Sequence, residues 1–149
     1  MEDRGWVNEV IAQRWGGVVA IHDELYAPSE LPSLVAELEG ERVGLLTYRV
    51  DRHGLEVVTV DALMDGVGAG TSLICAARSI AQSQALPRMW TVTTNDNVHA
   101  LWFYQRLGLR VVRVDLGAVD RARLLKPSIP LMGHDGIPIR DELVLEVQP

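Results

Sequence analysis

The stretch that decides the fold runs from Val60 to Gly70 and reads VDALMDGVGAG, with glycine at every second position from residue 66 to residue 70. The residues before it, Leu55 to Leu63, alternate and are rich in Val and Thr, which predicts a strand. Residues 71–84 carry apolar side chains at helical spacing. A glycine loop between a strand and a helix start presents backbone amides that can converge on an anion. The stretch therefore predicts a phosphate site.

Two common phosphate-loop patterns do not match this loop. The Walker pattern needs a lysine and then Ser or Thr after its last glycine, whereas Gly70 is followed by Thr71 and Ser72. The dinucleotide fingerprint needs a third glycine three residues after the second, a position that Thr71 occupies. A tight turn that binds no ligand stays open as the alternative.

The same stretch, counted back from Gly66, resembles the acetyl-CoA signature of the GNAT superfamily of N-acetyltransferases. In that family a strand ending in Val leads to Arg or Gln, two residues, Gly, one residue, and Gly or Ala. Residues 95–109, NDNVHALWFYQRLGL, resemble the following family motif, in which an Asn opens a helix carrying Ala, then Phe-Tyr, and a Gly before the next strand. Both motifs occur in the family's order, and together they are far more specific than either alone. The resemblance is specific from about Leu55 to Val112.

The resemblance implies acetyl-CoA as the cosubstrate, with no metal and no covalent intermediate. One departure is Asp65, which stands where the family has Arg or Gln; we expect it to face solvent or to cap the helix. The cofactor-binding residues that the resemblance implies are Val58, Val60, Gly66, Val67, Gly68, Ala69, Gly70, Thr71, Asn97 and Tyr104.

Two residues carry the catalytic roles that the resemblance implies. Tyr104 matches the family tyrosine that donates a proton to the CoA sulfur, and its alternative is a core tyrosine on an apolar helix face. Glu56 matches a glutamate that accepts the amine proton, often through water, and its alternative is a place on the exposed face of a half-solvated sheet. Asn97 matches the helix-opening asparagine and is also an ordinary N-cap.

The element order predicts a mixed α/β fold (α+β mixed sheet) with an antiparallel front half. The family resemblance implies a GNAT-like fold, with a largely antiparallel central sheet flanked by helices. We expect one N-acetyltransferase domain over residues 1–149. The predicted order is a first helix ending at Gly16, a strand from Val18 to Tyr26, a β-hairpin over residues 33–50, the strand and helix around the glycine loop, a strand at 89–93, a helix at 97–107, a strand at 109–116, a helix at 119–126 and a last strand at 142–147.

The balance of charged residues and the single cysteine indicate which partners and which cellular compartment to expect. Basic side chains number 14 against 20 acidic ones, for a formal net charge of -6, which disfavours nonspecific attraction to nucleic acid or anionic membranes. A cationic amine acceptor suits this charge better, and a homodimer stays open. The single Cys75 has no partner for a disulfide, so we expect a cytoplasmic protein and a packed small hydrophobe at that position. The segment Met1 to Gly5 shows no export signal.

The predicted function is direct transfer of an acetyl group from acetyl-CoA to a primary amine of a small molecule or peptide. A noncatalytic CoA-binding regulatory module and a transferase for a longer acyl-CoA remain alternatives. The acceptor class stays open among antibiotics, amino acids, polyamines and protein lysines. Residues 22–24 are interpreted as a surface turn, with a position facing the acceptor amine as the alternative. Neither they nor the polar segment 135–142 receive a role, and histidines 22, 53, 99 and 134 show no metal-ligand spacing.

Overall fold

The computed structural model describes residues 3–149, so Met1 and Glu2, which begin the segment inspected for an export signal, lie outside the described residues. Four α-helices occur in this part of the chain: α1 (Asp3–Trp15), α2 (Ala69–Ser83), α3 (Val98–Arg106) and α4 (Ala118–Leu125). The strands are β1 (Val19–Ile21), β2 (Glu24–Tyr26), β3 (Ser33–Leu38), β4 (Glu41–Asp51), β5 (Gly54–Ala62), β6 (Met89–Thr94), β7 (Arg110–Asp115) and β8 (Glu142–Val147). The mixed α/β fold class is confirmed, and so is the order of elements outside residues 18–26.

The chain divides into two compact units. The first holds the chain before residue 19 together with Ala27–Met89 and Gln148–Pro149, and the second holds Val19–Tyr26 and Trp90–Val147. Strands β1 and β2 therefore belong to the second unit, although the residues on either side of them in sequence belong to the first.

The first unit is an antiparallel β3–β4–β5 sheet with a helix on each face. On one face, Val7, Val10 and Ile11 of α1 form a buried cluster with Leu45 of β4. On the other face α2 lies so close to the sheet that a Cβ at Gly44 would stand 3.0 Å from Leu73 and 3.2 Å from Ala69. The absent side chain at Gly44 thus lets the helix that follows the glycine loop pack directly on β4.

Strand β5 contains a β-bulge at Val58. Tyr48 pairs with Val57 and Thr47 pairs with Thr59, so Val58 is one residue more than β4 has opposite it. A bulge of this kind interrupts the ladder and turns the strand locally, and such irregularities often lie beside functional sites. Here the bulge falls on a residue that the family resemblance assigns to cofactor binding.

The second unit contains strands in the order β6–β8–β7, with β7 and β8 antiparallel, together with α3, α4 and a small hairpin. The prediction of one strand over residues 18–26 is wrong, because β1 and β2 are separate strands that pair with each other. His22 (φ 55°) and Asp23 (φ 61°) form the two-residue turn in the left-handed conformation that a tight hairpin requires. Neither residue is Gly or Asn, so the sequence lacked the usual turn signal.

The expectation of a packed cysteine is also wrong, since Cys75 is exposed. The buried stripe of α2 follows Leu73, Ile74, Ala77 and Ala81, and Cys75 points away from it. Within residues 3–149 no helix is long and apolar enough to span a membrane.

Candidate active site

The glycine loop leaves β5 at Ala62 and enters α2 at Ala69. Gly66 and Gly68 both adopt φ +75°, the left-handed conformation that other residues rarely take, and Gly68 is the N-cap of α2. The first hydrogen bond of the helix runs from the N–H of Ser72 to the carbonyl of Gly68, at 3.0 Å. The amides of residues 69–71 therefore precede the helical ladder and are the ones that an anion at a helix start can meet.

Space for a ligand is present beside this loop. No atom lies within 4 Å of a Cβ built at Gly66 or at Gly68, and residues 64–68 are all exposed. Ala69 and Gly70, by contrast, are buried against the sheet. The loop thus has a buried base and an open outer side, an arrangement typical of backbone sites for anions such as a pyrophosphate.

Asp65 is exposed, which agrees with the expectation that it faces solvent. Its carboxylate therefore does not have to lie among the loop amides, where it would repel a phosphate.

Asp61 ties the end of β5 to the last residue of α1. The indole Nε1 of Trp15 donates to Asp61 Oδ2 at 2.7 Å, and burial raises the pKa of the Asp61 carboxyl above its usual range, although the Trp15 hydrogen bond and the charge of Arg14 act in the opposite direction. The backbone N–H of Leu63 extends the strand by donating to the carbonyl of Val43 at 2.8 Å. These contacts fix the end of β5, where the glycine loop begins.

Two polar pairs cross from β4 to β5 on either side of the bulge. The hydroxyls of Thr47 and Thr59 lie 2.7 Å apart and are buried. Arg49 forms an ion pair with Glu56, whose side chain is only 2% exposed. The alternative that placed Glu56 on an exposed sheet face is therefore wrong, and its carboxylate is a buried, paired group.

The remaining predicted residue of β5, Val60, is half-buried, and Val58 is buried. The strand thus carries Glu56, the bulge and then the glycine loop in one continuous segment of the first unit.

Asn97 and Tyr104 belong to α3 in the second unit. The side chain of Asn97 caps the helix by accepting a hydrogen bond from the N–H of Ala100 at 3.1 Å, which confirms the N-cap interpretation. Tyr104 is buried, with its ring centroid 5.3 Å from that of Phe103. This packing agrees with a purely structural core tyrosine, and it agrees equally with a catalytic phenol that is held in one orientation.

Asn95 and Asp96 have a role that the sequence reasoning missed. Asn95 Oδ1 accepts from the N–H groups of Arg140 (2.9 Å) and Asp141 (3.0 Å), and Asn95 Nδ2 donates to the carbonyl of Pro138 at 2.9 Å. Asp96 is buried and accepts from the N–H of His134 at 3.1 Å. These two residues of the quoted NDN run therefore hold the long segment between α4 and β8.

Arg123 holds the same segment from α4. Its guanidinium donates to the carbonyls of Ile129 (3.2 Å), Pro130 (2.7 Å) and Ile139 (2.8 Å). We call residues 127–141 the C-terminal loop. Its path is fixed by backbone hydrogen bonds to side chains that lie outside it, and this includes most of the polar segment 135–142.

The hairpin turn of residues 22 and 23 lies beside further acidic groups. Arg121 bridges Asp23 Oδ1 (3.0 Å) and Asp115 Oδ1 (2.9 Å). Burial raises the pKa of the nearby Glu142 carboxyl, while the charge of His22 acts to lower it. Among residues 3–149, no group of three or more His, Cys, Asp or Glu side chains is arranged to hold a metal ion.

Comparison with known proteins gives consistent matches. The model of the Acetyltransferase (GNAT) family matches residues 9–109. The uncharacterized protein YxbD of Bacillus subtilis (strain 168) is 36% identical over 141 residues, which cover 93% of this chain and 89% of that protein.

Solved structures agree in fold. A Bacillus subtilis acetyltransferase in complex with CoA has a TM-score of 0.68 at 18% identity, covering 95% of this chain and 83% of its own. A GNAT family acetyltransferase from Elizabethkingia anophelis with acetyl-CoA bound has a TM-score of 0.67 at 17% identity, covering 95% and 82%. At this identity the likeness shows the shared fold.

Proposed function

Because the chain belongs to the GNAT acetyltransferase family, we propose that it is an acetyl-CoA-dependent N-acetyltransferase that moves the acetyl group directly to a primary amine of a small molecule or peptide. We include in this proposal one N-acetyltransferase domain over residues 1–149. The observation that carries it is the glycine loop, in which no atom lies within 4 Å of a Cβ built at left-handed Gly66 or Gly68 and the amides of residues 69–71 precede the first hydrogen bond of α2.

In this proposal the loop amides of residues 66–71 bind the pyrophosphate of CoA. The backbone of β5 around the Val58 bulge, together with Val60, would hold the pantetheine, because the interrupted ladder changes the direction of the strand there. Asn97 would contact the cofactor while it caps α3. CoA complexes of the Bacillus subtilis and Elizabethkingia anophelis acetyltransferases support a site for this ligand class.

Acetyl-CoA supplies an activated thioester, and the chain's own residues manage the protons. Glu56 would accept a proton from the acceptor ammonium, directly or through water, so that the amine becomes a nucleophile. Tyr104 would donate a proton to the departing thiolate. The assignment of Tyr104 rests on the Phe-Tyr motif, and the assignment of Glu56 rests on the family resemblance together with its buried position two residues before the bulge.

The acceptor is proposed to be cationic because the chain carries a formal net charge of -6. The same charge argues against nucleic acid or an anionic membrane as a partner. A cytoplasmic location and a homodimer also remain proposals.

A thiol-detecting assay with acetyl-CoA and a panel of primary amines tests the proposed function. We expect CoA release that depends on one class of amine. A chain that binds CoA tightly but releases none across antibiotics, amino acids, polyamines and lysine peptides would instead be a noncatalytic CoA-binding module. Parallel assays with propionyl-CoA and succinyl-CoA distinguish a transferase of longer acyl groups.

A further inference from the structure

Arg49 and Glu56 lie directly opposite each other in the β4–β5 register and form an ion pair. The pair is asymmetric, since the Glu56 side chain is 2% exposed and the Arg49 side chain is 31% exposed. Burying a carboxylate is costly unless a cation or hydrogen-bond donors compensate it. The guanidinium of Arg49 supplies that compensation from the better solvated side.

The Arg49–Glu56 ion pair lies on one side of the Val58 bulge, and the Thr47–Thr59 pair lies on the other. Arg49 and Thr47 are two residues apart on β4 and therefore point to the same face. Their partners, Glu56 and Thr59, are three residues apart on β5, and only the extra residue Val58 allows both to meet those partners. The Thr47–Thr59 contact of 2.7 Å closes the other side. The irregular point of β5 is thus enclosed by two polar cross-strand contacts.

Stability alone is a weak explanation for such a pair. Replacing a buried ion pair by apolar residues of similar size is often neutral or stabilising, whereas removal of one partner is harmful. What an arginine–carboxylate contact does supply is a fixed geometry, because the planar guanidinium holds the carboxylate in a defined orientation. A fixed orientation of the Glu56 carboxylate matters beside the bulge, because Glu56 is the proposed base.

We propose that Arg49 is a positioning residue, which holds the Glu56 carboxylate in one orientation beside the Val58 bulge so that it meets the acceptor ammonium productively. This inference rests on the proposed function. In the proton step, Glu56 takes one proton from the ammonium, which leaves a neutral amine and a protonated carboxyl next to Arg49. Water then receives that proton.

The charges of Arg49 and Glu56 predict which kinetic constant changes when their contact is weakened. Because Arg49 neutralises Glu56, the pair offers no net negative charge to attract a cationic amine. Weakening the Arg49 contact should therefore lower kcat and leave KM for the amine unchanged or lower. A variant that merely folds less well would lose melting temperature together with activity.

The experiment uses the full chain and three variants: Arg49→Lys, Arg49→Met and the double variant Arg49→Met/Glu56→Met. Thiol release gives kcat and KM for the amine, calorimetry gives the affinity for CoA, and thermal unfolding gives the melting temperature. We expect Arg49→Lys to fold like the wild type, to keep its affinity for CoA, and to lose about tenfold or more in kcat, because an ammonium cannot reproduce the planar contact. The double variant should recover the melting temperature that Arg49→Met loses, without recovering turnover.

Two results would overturn the role of Arg49: a wild-type kcat in Arg49→Lys, or a double variant that regains turnover along with stability. Because Arg49→Lys keeps the charge, it remains informative even where Arg49→Met does not fold. Failure of the proposed function looks different, since the wild type would then bind CoA and release no thiol with any amine. That outcome would remove both proposals.

Discussion

Trp15 and Asp61, which are 46 residues apart in the chain, are joined by a hydrogen bond of 2.7 Å from the indole nitrogen to the carboxylate. The contact fixes the end of α1 to the strand that feeds the glycine loop. It also places a carboxyl group where burial raises its pKa.

Asp61→Asn should therefore change how stability depends on pH. Because the pKa of Asp61 is raised in the folded state, the folded protein holds this proton more tightly than the unfolded chain, in which the pKa is 3.8. The stability of the wild type is therefore highest below pH 3.8 and falls as the pH rises through the folded-state pKa. The asparagine keeps an acceptor for Trp15 and does not titrate. Thermal unfolding should show the variant gaining on the wild type as the pH rises from below 3.8 through the raised pKa of folded Asp61. Asp61→Ala removes the acceptor and should cost about 1–3 kcal/mol. A constant difference between Asp61→Asn and wild type across this pH range would contradict the assignment.

Gly68→Val should weaken CoA binding by about tenfold or more, because a β-branched residue is strained at φ +75° and its side chain would enter the space in front of the loop amides. Gly40→Val is the matched control, since Gly40 also has a left-handed φ, of +84°, with open space around it, but lies in the β3–β4 turn. Calorimetry should show reduced affinity in the first variant and wild-type affinity in the second. Equal affinities in two folded variants would place CoA elsewhere.

Tyr104→Phe should keep the fold and the affinity for CoA while turnover falls about 100-fold, the usual effect of losing a general acid. The ring contact with Phe103 survives the change because only the hydroxyl is lost. Tyr26→Phe, which removes a hydroxyl from the exposed hairpin, serves as the control. Wild-type turnover of Tyr104→Phe across the pH range would leave Tyr104 a purely structural residue.

Glu56→Gln should reduce turnover mainly at low and neutral pH. There the acceptor amine is protonated and needs a base, whereas at alkaline pH the free amine is abundant and the defect should shrink. A pH–rate comparison with one identified acceptor measures this. A defect of constant size from neutral to alkaline pH would indicate that Glu56 acts only through its ion pair with Arg49.

Gly133→Ala should destabilise the C-terminal loop. A Cβ at this position would lie 2.0 Å from Asp96 Oδ2 and 2.7 Å from Ile139 Cγ1, so the Asp96 contact with the loop has to give way. The expected cost is about 1–3 kcal/mol, the usual range for overpacking. Combining it with Asp96→Ala should give less than the sum of the two single costs, because the smaller side chain removes one of the clashes. Additive costs would show that the two residues do not interact.

Local patterns were sufficient to predict much of this chain. The glycine loop, the Asn97 cap and the order of elements follow from spacing and from residue types with strong local preferences. A surface turn was predicted at residues 22–24, but not the hairpin around it, because a histidine and an aspartate stand where Gly or Asn would signal a hairpin turn.

The polar contacts of the candidate active site depend on how strands β4 and β5 are aligned, and not on local residue patterns alone. Arg49 and Glu56 are seven residues apart in sequence, and they face each other only in the register that pairs Asp51 with Gly54 across the tight β4–β5 turn. The Val58 bulge shifts the face of every later residue in β5, so a strict alternation misplaces Glu56 relative to Thr59. Such pairs emerge only once the two strands are aligned.

The C-terminal loop shows how a surface can vary while its support stays the same. Arg123, Asn95 and Asp96 bind its backbone and make no use of its side chains, while Leu131 and Met132 within it are 71% and 54% exposed. Relatives that retain the three anchors are therefore free to exchange these exposed residues and still inherit the same backbone path. Leu131 and Met132 are accordingly good positions for randomised side chains, and a library built at these two positions would sample new surfaces on an unchanged scaffold.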